Sequence, residues 1–282
     1  KAASEGSYER YEGLTVWTPN INIFRDPRWG RGIETYGEDP YLTATLGVEV
    51  VKGLQCLGED EKYDKMHACA KHFAVHSGPE WNRHTFNAEN ISPRDLYETY
   101  LPAFEALVKE GNVKEVMCAY NRFEGDPCCN SDQLLINILR NEWNYQGIVV
   151  SDCWAIADFF REENSHHTHP DSASASAAAV LSGTDLECGD SYQSLVNGVK
   201  RGLIKESDLD VSVKRLLKAR YELGEMDDPA EVSWTKIPYS VVASKEHHEQ
   251  ALEMARKTMT LLQNKNNALP IKKKKKTIAV MG

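Results

Sequence analysis

Short apolar runs alternate with longer amphipathic stretches along this 282-residue chain, and that alternation constrains its fold more than any other feature. The strand-like runs are "TVWTPNINIF" (15–24), "HACAKHFAV" (67–75), "KEVMCAY" (114–120), "GIVVSD" (147–152) and, more weakly, "GTDLEC" (183–188). Strands that alternate with helices pair in parallel through right-handed crossovers. Two architectures satisfy the pattern, a doubly wound open sheet or part of a (β/α)8 TIM-type barrel. The open sheet binds nucleotides through a Gly-rich turn after a strand, and no such fingerprint follows any of these runs. Polar residues gather instead after several different runs, as barrel sites require. The expected fold is therefore α/β, a partial (β/α)8 barrel lacking its first strands.

The helices between the runs carry start and stop signals. Asp39-Pro40 supplies a cap and a first-turn proline, with Leu42, Leu46, Val50 and Leu54 expected on the inward face. "SPRD" (92–95) opens a second helix whose buried stripe is Leu96, Tyr100, Leu101, Phe104, Leu107 and Val108, ending at Gly111. Ser131 caps a third, with Leu134, Leu135, Ile138 and Leu139 inside. "SDLD" (207–210) opens a fourth, with Val213, Leu216, Leu217 and Tyr221 expected inside and Gly224 at its end. The texture then changes. The expected organisation is a barrel segment over 1–225, a linker and helix over 226–276, and the first strand of another domain over 277–282. The lysine run within "IKKKKKTIAV" reads as a solvated lead-in to that strand.

A net charge of -9 and a pI near 5.5 argue against a nucleic-acid surface. No apolar run approaches the length of a membrane span. The seven cysteines contain no C-x-x-C pair and no zinc spacing, so neither a metal nor a cofactor is expected. Cys69, Cys118 and Cys153 lie in or at the end of strand-like runs, where cysteine commonly serves as a small hydrophobe.

Several motifs carry chemistry. "FRDPRWGRGIETYGEDP" (24–40) crowds arginines, acids and aromatics into one loop. It is either a surface loop held by ion pairs or a loop that aims a guanidinium such as Arg31 at vicinal oxygens. Lys71 and His72 are adjacent inside an apolar strand, where successive side chains face opposite ways, so a shared site needs a backbone irregularity. Tyr120 reads as core packing or as a ligand contact. Asp152, at the end of "GIVVSD", is a helix cap, an ion-pair partner or a reactive carboxylate. Asp185 and Glu187 fit a structural ion pair. His166, His167 and His169 in "ENSHHTHPD" read as a solvated loop away from the strand ends. Trp17 offers a flat face to a sugar ring. An aromatic wall, several donors and one carboxylate describe a pocket for a neutral polyhydroxyl ligand.

With "PNINIFRDPRWGRGIETYGEDPYL", "ACAKHF", "EWNR", "VMCAYN", "GIVVSDCWAI" and "SGTDLE" in this order, the chain resembles the glycoside hydrolase family 3 enzymes over essentially its whole length. The resemblance implies a barrel that carries a nucleophilic aspartate at Asp152. It implies that Arg31, Lys71, His72, Arg83 and Tyr120 hold the innermost sugar, with a non-proline cis peptide near Lys71-His72-Phe73. The implied reaction is retaining hydrolysis of terminal β-linked sugars from an oligosaccharide, with no cofactor. The second carboxylate is implied to come from the following α/β sandwich domain, and Glu34, Glu38, Asp39, Glu80, Asp185 and Glu187 match none. "SDC", Trp81 and the pair Cys128-Cys129 resemble the β-xylosidase branch, with β-glucosidase as the alternative and a non-catalytic sugar-binding fragment as the alternative class. In that reading Trp81 fills the space of a glucose hydroxymethyl group. The family's role suggests a periplasmic or secreted setting.

Overall fold

The computed structural model describes residues 13–55, 62–271, 277 and 279. Contacts divide the chain into two units, one running to Lys236 and the other beginning at Ile237. The first unit is built on a four-stranded sheet, β1 (Thr15–Val16), β2 (His67–Phe73), β4 (Glu115–Cys118) and β7 (Ile148–Ser151), in that spatial order. Every pairing is parallel, from Thr15 opposite His67 to Cys118 opposite Ser151. A smaller sheet joins β3 (Asn87–Ala88), β5 (Arg122–Phe123) and β6 (Asp126–Pro127) beside it. Helices α1 (Pro40–Gln55), α2 (Pro93–Asp95), α3 (Pro102–Lys109), α4 (Ser172–Leu181), α5 (Leu195–Lys200) and α6 (Glu206–Glu222) accompany the strands, with a π-helical segment at Asp132–Glu142. The first unit is thus α/β on a parallel sheet, as the alternation implies, an arrangement compatible with part of a barrel. In the second unit α7 (Lys245–Lys257) starts at Ser244, whose side chain accepts from the His247 amide. The strand expected over 277–282 and the lysine run lie outside the described residues, save for 277 and 279.

The first and last expected strands are only partly laddered. After β1 the chain turns through Pro19 and returns as a single bridge, Asn20 opposite Lys71, with the Ile21 amide donating to the Lys71 carbonyl at 2.9 Å. Likewise 183–188 contributes one bridge, Leu186 opposite Val150. In β2 the register shifts between Lys71 and Phe73, so the side-chain alternation breaks there. The peptide bonds Lys71–His72 and Phe73–Ala74 are cis.

Two helices present different faces from those expected. In α1 Leu42 and Leu46 are 47% and 42% exposed, while Thr43, Gly47, Val48 and Val51 are buried. Helix packing decides this. A Cβ on Gly47 would come within 2.9 Å of Leu107 Cδ1 on α3, an approach that only the small-residue face permits. In α6 Val213, Leu217 and Tyr221 are exposed and only Ser212 is buried. A buried acid outcompetes the apolar stripe. Asp185 Oδ1 accepts from Ser212 Oγ at 2.9 Å and Arg215 Nη1 at 2.7 Å, while its Oδ2 accepts from Arg140 Nη2 at 2.7 Å and the Val149 amide at 2.9 Å. The expected structural ion pair at Asp185 is therefore present, and it turns α6 about its axis.

The base of the sheet holds a second buried acid. Glu115, the first residue of β4, is buried, and its Oε2 has no partner among the described residues. Burial pushes its carboxyl up to about 8, against the opposing bonds from Cys69 and Trp17. The native state therefore holds a proton that the unfolded chain releases near its ordinary value of 4.5. This contribution to stability is fully present below that value and is lost as pH rises through about 8. Glu115→Gln is expected to flatten the decline of the urea-unfolding free energy across this window. An unchanged slope would show that Glu115 does not carry it.

Candidate active site

Because the strands are parallel, their carboxyl ends share one edge, and four chain segments deliver side chains there. The 3-10 turn Gly32–Glu34 follows the first strand run, and Arg31 sits at its start. Arg31 is fixed by a two-bonded fork to Glu34, Nε to Oε1 at 2.7 Å and Nη2 to Oε2 at 2.8 Å. Burial disfavours its charge, but the Glu34 bonds outweigh that and hold its basicity above the usual value. Its remaining nitrogen, Nη1, lies 2.9 Å from His72 Nε2 and 4.0 Å from Asp152 Oδ2.

His72 is completely buried and held in one tautomer. Asn22 donates through Nδ2 to the His72 carbonyl at 2.8 Å, and its Oδ1 faces the His72 amide at 2.8 Å and ring Nδ1 at 3.0 Å. An amide oxygen only accepts, so Nδ1 carries the proton and Nε2 accepts from Arg31. Burial, reinforced by the proximity of His76 and the charges of Arg31 and Lys71, drives its basicity well below the ordinary value. The ring is neutral, so the 3.5 Å approach of Nε2 to Asp152 Oδ2 is not an ion pair. Lys71 lies in the same electrostatic cluster, its basicity lowered by burial and by Arg31.

Asp152 follows β7 and is 7% exposed. Its two oxygens are not equivalent. Oδ1 accepts the Cys153 amide at 2.8 Å, whereas Oδ2 has no hydrogen-bond partner among the described residues. The carboxylate caps no helix. Burial raises its pKa above the ordinary aspartate value, and the Cys153 amide, Arg31, the Tyr120 hydroxyl and Lys71 pull against that rise. The Cys153 carbonyl accepts from the Tyr120 hydroxyl at 2.9 Å, so one residue's backbone serves both Asp152 and Tyr120. Burial and the Asp152 charge keep that hydroxyl protonated. Arg83 stacks its guanidinium 5.6 Å from the centre of the Tyr120 ring and pairs with Glu80 at 3.2 Å.

Arg31, Lys71, His72, Arg83, Tyr120 and Asp152 thus gather at one strand edge. The two tryptophans are placed differently. Trp17 is 37% exposed and lies near enough to Glu115, at the base of the sheet, to influence its titration. Trp81 is 72% exposed, with the Arg28 guanidinium 5.4 Å above its ring.

Two cysteine expectations change. Cys118 pairs with Cys129 and Cys153 with Cys188 as disulfides, while Cys69 is a free buried thiol. The pairs join ends of different segments, an adjacency that spacing along the chain does not reveal. His166 is likewise not solvated. It is buried, with Nε2 2.7 Å from the Tyr120 carbonyl oxygen. Asn22 is a site residue that no motif marked, although "PNINIF" places Asn20 and Asn22 two apart with Ile21 between them, on the same side of an extended chain. At the opposite end of the sheet Asp64, His67 and Glu222 cluster, and Lys114 Nζ sits 2.9 Å from Asp64 and 3.3 Å from Glu222 as their counter-charge.

Lys71→Met removes a positive charge that favours the Asp152 anion. The expected outcome is an upward displacement of the Asp152 titration midpoint, followed by carbon NMR of the labelled carboxyl. An unmoved midpoint would detach Lys71 from Asp152.

The family model for the glycosyl hydrolase family 3 N terminal domain matches residues 11–219. A xylan 1,4-beta-xylosidase of Xylanibacter ruminicola is 56% identical over 279 residues, covering 98% of this chain and 32% of the relative. A beta-xylosidase/alpha-L-arabinofuranosidase of Medicago sativa subsp. varia is 39% identical, covering 96% of this chain and 35% of the relative. The structure superimposes on a GH3 exo-beta-xylosidase (XlnD) in complex with a xylobiose aziridine activity-based probe, with a TM-score of 0.86 and 34% identity over 93% of this chain and 34% of that one. It also superimposes on a beta-glucosidase from Listeria innocua in complex with isofagomine, with a TM-score of 0.82 and 31% identity over 92% of this chain and 36% of that one. The chain spans about a third of the length of the curated relatives it matches. From the family match over most of its length, and from relatives aligned across nearly all of it, the chain belongs to glycosyl hydrolase family 3.

Proposed function

We propose that the protein carrying this chain is a retaining exo-β-glycosidase that removes terminal xylose from xylo-oligosaccharides, with Asp152 as its nucleophile. The carrying observation is the asymmetry of that carboxylate. One oxygen is anchored by the Cys153 amide, and the other, without a hydrogen-bond partner among the described residues, lies beside Arg31 and His72. In the proposed reaction Oδ2 attacks the anomeric carbon as the bond to the leaving oxygen breaks, giving a covalent glycosyl-enzyme. Water then releases the sugar with retention. Arg31 and Lys71 offer donors to the sugar hydroxyls, and neutral His72 holds the Arg31 guanidinium in place. Neither Glu34 nor Asp185 is assigned the leaving-group proton, since Glu34 is committed to Arg31 and Asp185 to Arg140 and Arg215. The xylosidase relatives support xylose, and the glucosidase structures keep β-glucoside as the second reading. Two disulfides support an oxidising compartment, periplasmic or extracellular.

The test is incubation with dinitrophenyl 2-deoxy-2-fluoro-β-xyloside, whose leaving group needs little acid assistance. The expected result is a mass gain of one fluorosugar on the peptide containing Asp152, abolished in Asp152→Ala. A label elsewhere, or none on folded protein, refutes the assignment. Trp81→Ala is expected to raise glucoside turnover relative to xyloside, and an unchanged ratio would remove Trp81 from sugar selection.

A further inference from the structure

The loop between β7 and α4 reaches back to the pocket at two points. Asp158, in the 3-10 turn Ala157–Phe159, is 2% exposed, and its Oδ2 lies 2.7 Å from His84 Nδ1. A carboxylate only accepts, so the ring N–H donates to it. The His84 ring stands edge-on to Tyr120, with centroids 4.5 Å apart and planes at 61°. On the same loop the His166 amide donates to the Asp158 carbonyl at 2.6 Å, and His166 Nε2 meets the Tyr120 carbonyl oxygen at 2.7 Å. Tyr120 is therefore held at its ring by His84, at its carbonyl by His166 and at its hydroxyl by the Cys153 carbonyl. A buried acid needs a partner for stability alone. Here the partner directly follows Arg83 in sequence and packs on the residue that holds the backbone cradling Asp152.

We propose that His84 is a positioning residue: paired with Asp158, it fixes the Tyr120 ring, and through the Tyr120–Cys153 bond it fixes the orientation of Asp152. It touches neither the free oxygen of Asp152 nor the Arg31 fork, and it acts only through Tyr120 and the adjoining Arg83. The proposal rests on the glycosidase reading. A displacement of about 1 Å in a reacting group lowers turnover by about 10²-fold.

The experiment uses the full-length protein with His84→Ala and Asp158→Asn, the second keeping the volume of the acid should the first not fold. Kinetics on an aryl β-xyloside are expected to show kcat/KM about 10²-fold lower in His84→Ala, with kcat carrying most of the loss. Free imidazole, which fits the space vacated by the ring, is expected to restore part of the rate. A merely structural role would lower thermal stability without such rescue. A folded His84→Ala enzyme within twofold of wild type, or one that imidazole leaves unchanged, overturns the proposal. So does a crystal structure of that variant with Tyr120 unmoved, a readout independent of activity. Wild-type protein that takes no label on Asp152 from the fluoroxyloside would remove the glycosidase reading. Labelled wild type with unaffected variants would remove only the role of His84.

Discussion

Asp185 is the buried charge around which this half of the sheet is assembled. Its two oxygens collect guanidinium groups from the π-helical segment and from α6, a hydroxyl from α6 and the amide of Val149 in β7. Breaking any of these would leave a charge stranded away from water, so these three segments and the one carrying Asp185 are bound to one another more strictly than apolar contact alone would bind them. β7 is the strand that ends at Asp152. The position of Asp152, the proposed nucleophile, is thus set in part by a second carboxylate far along the chain.

Above that anchor the site separates what is held from what is free. Arg31 is held by Glu34, His72 by Asn22, Tyr120 by three neighbours, and one oxygen of Asp152 by an amide. Among the described residues the other oxygen of Asp152 has no hydrogen-bond partner, and beside it is the ammonium of Lys71, whose basicity burial lowers. Preorganisation of this kind removes the need to reorder the site as charge develops.

The sequence made the parallel strands legible because core strands and capped helices leave strong local signatures. Asp39, Ser92 and Ser131 do cap their helices. The cluster at the strand ends was legible because each of its residues ends or follows a different strand. What the sequence hid was decided at long range. The turned faces of α1 and α6 follow from Gly47 meeting Leu107 and from Asp185 capturing Arg215, contacts between residues far apart in the chain. The partners His84, Asp158 and His166 are ordinary loop residues by type, and only folding brings them against Tyr120.

One further feature bears on how the molecule reaches its native covalent form. Cys128 adjoins Cys129, which is bridged to Cys118, so a competing sulfur stands one residue from the correct one. Scrambling requires the thiolate form of the attacking sulfur. Burial pushes the Cys128 thiol up to about 12, so at neutral pH that form is nearly absent once the chain is folded. The correct bridge is thereby guarded by the packing of its neighbour, and the interval in which a mistake can occur closes when the core does.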